Sequence, residues 1–168
     1  KDFTATGLIL QDFASLKNTM IDSMHNGYGT ELSDILTTLE RQTAIDPPIL
    51  IKWFWDIFIV DALIGNWDRH NGNWGFLYNN ATDEIKLAPV YDCGSCLFPQ
   101  ASEEIMKNTL EDPEERNLRV FEIPLSGIKI NGKKIRYFDF ISSLQNTDCN
   151  QALKRILARI DLIKINKI

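Results

Sequence analysis

Within eight residues, Asn66-Trp67-Asp68-Arg69-His70-Asn71-Gly72-Asn73, the chain sets a carboxylate, an imidazole and a carboxamide, and Tyr91-Asp92 supplies a second carboxylate further on. Magnesium-dependent phosphoryl transfer needs such a set. One carboxylate orients the attacking hydroxyl, while an amide oxygen and another carboxylate hold the metal that bridges the nucleotide phosphates. Each residue alone has a plainer reading: an Asp after a helix end is usually a turn former or cap, and Asn-Gly is usually a turn. The combination outweighs its members. It lies directly beyond the most apolar helix of the chain, and a hairpin returns from it to Tyr91-Asp92-Cys93-Gly94.

Other chemistries find less support. Cys93-Gly94-Ser95-Cys96 has C-x-x-C spacing, but a thioredoxin-like motif belongs in a βαβ setting, and here Leu97-Phe98-Pro99 follows. A structural zinc site needs four ligands, and Cys149 with two scattered histidines is poor supply. Ser95 lacks the G-x-S-x-G elbow. A metal hydrolase using Asp68, His70 and Asp92 is a third, weaker reading.

The bulk properties narrow the field. At 168 residues, 44% apolar and 24% charged, the chain has room for one domain with its own core. A net charge of −5 gives no electrostatic footprint for nucleic acid. No apolar run reaches a membrane-spanning length, and no signal-peptide pattern opens the sequence. Three cysteines do not make a disulfide framework, so a reducing, cytoplasmic setting is expected and the sequon at Asn80 reads as unused. The absence of an initiator Met at Lys1 suggests a fragment.

The elements that must position the polar loop follow from periodicity. Residues 7–10 suggest a short strand, and residues 14–24 a helix with Leu16, Met20 and Met24 at helical spacing. Residues 25–29 read as a turn. Thr30 is expected to cap a second helix that buries Leu32, Ile35, Leu36 and Leu39. Asp46-Pro47 opens a third helix running to about Gly65, apolar on more than one face and therefore central. Residues 74–78 and 85–88 predict a hairpin, and residues 103–116 a partly helical surface segment. Asn131-Gly132 is a strong signal for a second hairpin between residues 127–130 and 133–137. Asp139 is expected to cap a short helix through Leu144, and Asp148 a last one that turns Leu153, Ile156, Leu157, Ile160 and Ile163 inward. The fold class expected is mostly α with small β-hairpins (α+β).

The stretch FWDIFIVDALIGNWDRHNGNWGFL, followed by LAPVYDCGSCLFP, resembles the catalytic segment of HipA-like serine/threonine kinases, especially the compact CtkA-type members. That family shows an apolar helix, then N-x-D-x-H-x-x-N, a hairpin, and L-x-P-x-Y-D. The specific match covers about residues 54–99. The step from Asp68 to Asn73 also equals the Asp-to-Asn step of the protein-kinase loop H-R-D-x-x-x-x-N, although here the His follows the Asp. The resemblance implies the helical C-lobe of a protein-kinase-like fold, with ATP as co-substrate and Mg2+ as cofactor. It implies Asp68 as the catalytic Asp and His70 as a residue that orders the loop and contacts phosphate. Asn73 and Asp92 would hold Mg2+, and Tyr91 would pack against the adenine.

Within the same chemistry, Asp68-Arg69-His70 and Asn73 also match the D-R-H-x-x-N loop of phosphoinositide kinases. No Gly-rich phosphate loop and no lysine strand precede the first helix. Residues 1–168 are therefore expected to be a single C-lobe domain whose N-lobe is absent, with residues 1–13 as the last N-lobe strand and hinge (Gln11-Asp12-Phe13). Such a lobe is expected to be inactive alone, while its parent phosphorylates Ser or Thr of a protein substrate. A toxin–antitoxin setting with an antitoxin partner protein stays open. A non-catalytic, kinase-like interaction module is the competing function. No direct nucleic-acid or membrane binding is expected.

Overall fold

A computed structural model, which describes residues 7–20, 27–161 and 164, begins with strand β1 (Leu8–Asp12) running straight into helix α1 (Phe13–Met20). Helices α2 (Leu32–Arg41) and α3 (Pro47–Ile64) follow, then the hairpin β2 (Gly75–Asn79) and β3 (Glu84–Leu87). Two surface helices, α4 (Glu103–Glu111) and α5 (Pro113–Asn117), lead through one π-helical turn, Leu118–Glu122, to the second hairpin, β4 (Leu125–Ile130) and β5 (Lys133–Arg136). Helices α6 (Tyr137–Ser142) and α7 (Thr147–Leu157) close the described fold. The mostly helical α+β class expected from periodicity is what forms.

Helix α3 is the axis. Pro47 sits in its first turn, where its missing N–H costs nothing, and Gly65 ends it in the left-handed conformation at φ 65°. Leu50, Phe54, Trp55, Ile57, Phe58 and Ile59 are all buried, and both α2 and α7 pack against this helix. Trp55 stacks on Phe140, with centroids 5.7 Å apart, and Phe54 meets Trp74 at 5.7 Å. Ile49 and Leu63 remain about half exposed where no element covers them. Among the described residues no helix is long and apolar enough to cross a membrane.

Several local expectations are corrected. Thr30 does not cap α2: its hydroxyl donates to the Gly127 carbonyl at 2.7 Å, and Glu31 takes the cap position, its carboxylate accepting from the N–H groups of Asn131 and Gly132 rather than from the helix. The cap of α7 is Asn146, whose side-chain oxygen accepts from the Cys149 N–H at 2.8 Å, while Asp148 lies in the first turn. There its charge still favours the helix N-terminus. Asp139 falls inside α6, because β5 passes into that helix with Arg136 as the junction. Leu157 ends α7 and is 55% exposed rather than inward. The first helix is described only to Met20, so Met24, His25 and Asn26 lie outside the described residues, as does Ile163. Gln11 and Asp12 continue β1 and pair with Phe76 and Gly75, which makes β1-β2-β3 one antiparallel sheet. The second hairpin turns at Asn131 and Gly132, both at positive φ as a type I′ turn demands.

Candidate active site

Asp61, in the last full turn of α3, is 1% exposed, and a buried carboxylate requires a partner. Arg69 provides it: Nε donates to Asp61 Oδ2 at 2.8 Å and Nη2 to Oδ1 at 2.9 Å, a bidentate pair. Burial by itself would lower the pKa of this guanidinium. The hydrogen bonds and charge of Asp61 outweigh that and hold it above its ordinary value. The remaining donors of Arg69 face the loop. Nη1 donates to the Asn73 carbonyl at 2.5 Å and to the Tyr91 carbonyl at 2.7 Å, and Nη2 reaches the Cys93 sulfur at 3.7 Å. A single side chain therefore ties the helix end, the polar loop and the returning Tyr91–Cys93 segment together.

The rest of the loop is pinned to its surroundings. Asn66 donates to Asp61 Oδ1 at 2.9 Å, and its carbonyl accepts from the Tyr137 hydroxyl at 2.8 Å. Buried Asn71 donates to the carbonyls of Gly27 and Gly29 at 2.7 and 2.8 Å, and its own carbonyl accepts from the Ala14 N–H. Gly127 lets strand β4 approach, since a Cβ there would collide with the Arg69 carbonyl.

On this scaffold the expected site residues divide by exposure. Asp68 is exposed, and its carboxylate makes no hydrogen bond among the described residues; its backbone N–H rests on Asn66 Oδ1 at 3.2 Å. Asn73 is 4% exposed and donates from Nδ2 to the Asp68 carbonyl at 3.0 Å. That bond fixes the carboxamide and leaves Oδ1 without a donor from the described residues. His70 Nδ1 accepts from the Gly72 N–H at 3.1 Å, so a neutral ring carries its proton on Nε2. Asp92 is exposed, at φ 54°, with a carboxylate that likewise has no hydrogen-bond partner among the described residues. The shared Arg69 donor brings the backbone of Asn73 and that of Tyr91, next to Asp92, to one point.

Tyr91, the residue expected against the adenine, donates its hydroxyl to the Gly72 carbonyl at 3.0 Å. Burial first, then the charge of Asp12, push its pKa up to about 12; Arg69 pulls the other way, and Asp92 adds a smaller upward push. A folded pKa above the unfolded value of about 10 gives stability that is whole below pH 10 and lost as pH rises through 12. Alkaline melting should therefore show a loss of stability in that window that Tyr91→Phe reduces without abolishing, because burial also raises the Tyr137 hydroxyl and the Cys149 thiol. An unchanged pH profile in the variant would refute the link.

Asp61, Arg69 and Asn71 were not singled out by motif reasoning, although Asp61 stands out as a charge in an apolar run eight residues before Arg69. Among the described residues no group of three or more His, Cys, Asp or Glu side chains is placed to hold a metal. Asn73 and Asp92 instead offer a carboxamide oxygen and a carboxylate. These are the hard donors magnesium accepts while keeping several waters. The donor set fits that ion.

Comparison with known proteins agrees with the motif. The chain is 47% identical to the serine/threonine-protein kinase CtkA of Helicobacter pylori strain J99, over all of this chain and 52% of that protein. It thus spans about half the length of this curated relative. The crystal structure of the H. pylori proinflammatory kinase CtkA superposes with a TM-score of 0.93 at 46% identity, covering 99% of this chain and 61% of the other. The HipA-like C-terminal domain matches residues 3–162, and the protein accordingly belongs to that kinase-like family.

Proposed function

We propose that the whole protein is an ATP- and magnesium-dependent kinase that phosphorylates serine or threonine of a protein substrate. Support comes chiefly from one observation: Asn73 spends its amide hydrogen on the Asp68 carbonyl and so presents its oxygen, while Arg69 draws the Asp92 segment to the same loop. The 168 residues are read as one domain, the helical lobe, with residues 1–13 as its join to a nucleotide-covering lobe. Asn73 and Asp92 would hold Mg2+, which when bound neutralises charge on the nucleotide phosphates. Asp68 orients the acceptor hydroxyl and takes its proton, a task its exposed, unbonded carboxylate is free to perform. His70 offers its Nε2 proton to a phosphate oxygen, and Tyr91 keeps the loop in shape through Gly72.

Calorimetry on the full-length protein tests this reading. Mg-ATP should bind with heat that disappears when magnesium is withheld, and Asp92→Asn should weaken it at least tenfold. Heat that is independent of the metal, or no binding at all, would favour a kinase-like interaction module instead.

A further inference from the structure

A groove of about 410 Å³ opens beside the polar loop, within the size range of ligand sites. Trp67, the residue before Asp68, forms one wall and is 40% exposed. Phe98, Ile105 and Pro124 add apolar surface, and Arg119 and Lys134 supply positive charge. These walls come from four separate parts of the fold, and the backbone holds them in place. The Leu97 N–H donates to the Ile64 carbonyl at 2.8 Å, at the end of α3, and the Pro124 ring lies against Gly65.

The charge of the groove runs against that of the chain. In a protein of net charge −5, its lining contains two cations and neither Asp nor Glu. Arg119 is shared with Glu115 at 2.6 Å and lies 5.3 Å from the Phe98 ring centroid, which fixes it in the wall. Lys134 is exposed and has no anionic partner among the described residues. An extended segment that pairs an apolar side chain with a carboxylate complements this lining, and the segment would leave the groove at Trp67, next to Asp68.

We propose that the groove seats the acceptor segment of the protein substrate and selects a serine or threonine flanked by apolar and acidic residues. Trp67 takes the apolar side chain and Lys134 the acidic one. This deepens the kinase reading and rests on it for the acceptor's fate, but the binding preference can be measured without chemistry.

The test uses the full-length protein and fluorescein-labelled serine peptides that share apolar residues and differ in Glu or Lys beside them. Fluorescence anisotropy should show the acidic peptide binding at least tenfold more tightly than the basic one. Lys134→Glu should reverse that order, and Trp67→Ala should weaken both peptides. Lys134 is exposed and unpaired, so its variant should melt like the parent. Peptides bound within twofold of one another, or insensitive to Lys134→Glu, overturn the proposal. So does Lys134-dependent capture of phosphoinositide vesicles in place of peptide. Phosphate transfer from Mg-ATP, followed separately, keeps the two ideas apart. Charge-selective binding without transfer sinks the kinase reading and leaves the groove standing; transfer without charge preference does the reverse.

Discussion

Arg69→Met is expected to destabilise the protein by about 3–5 kcal/mol, because it strands a carboxylate in the core. Asp61 would lose both bonds from the guanidinium and keep only Asn66 as a donor, and the carbonyls of Asn73 and Tyr91 would lose theirs. Lysine is no substitute, since a compact ammonium cannot span acceptors on three segments at once. The double variant Asp61→Leu/Arg69→Met should recover most of the lost stability, as removal of both buried charges often does. It should nevertheless bind Mg-ATP poorly, because nothing then draws the Tyr91–Cys93 backbone to the loop. Urea denaturation with calorimetry on the same variants separates these effects. A single-variant loss below about 1 kcal/mol, the level of an ordinary surface pair, would refute the clamp.

Asp68→Asn is expected to lower phosphate transfer in the full-length protein by about 10²–10⁴-fold, the usual contribution of a positioned acid or base. Mg-ATP affinity should persist, since the proposed metal donors are Asn73 and Asp92. The fold should be unaffected to within about 0.5 kcal/mol, because the exposed carboxylate has no hydrogen bond to lose among the described residues. Rates by radiolabelled transfer, beside a thermal melt, make the comparison. A variant retaining a fifth or more of the parental rate would remove Asp68 from the reaction.

Much of this architecture was legible from residue patterns, and the exceptions share a cause. The apolar run of α3, its proline start and glycine end, and the Asn131-Gly132 turn each rest on local physics that tertiary contacts did not override. Capping was less legible. Thr30, Asp139 and Asp148 are all suitable cap types, but Thr30 is drawn to Gly127, 97 residues away, and Asp148 is displaced by an equally suitable Asn146. The loop Asn66–Asn73 could be picked out by residue type alone. What could not be read was the order within it: that Arg69 turns into the core while its neighbour Asp68 faces solvent depends on Asp61 waiting below. Tyr91 shows the same limit, since only the folded chain brings its hydroxyl to the Gly72 carbonyl.

The ladder between β2 and β3 carries a consequence for how such proteins can diverge. Phe76 pairs with Leu87 and Asn79 with Glu84, so the journey from Asn73 to Asp92 is measured by paired rungs rather than by chain length. Residues added at the tip, beyond the last rung, leave Asp92 where it is. One residue inserted into either leg would turn the following side chains to the opposite face. Length variation among descendants should therefore accumulate at positions 80–83 and be purged from the legs.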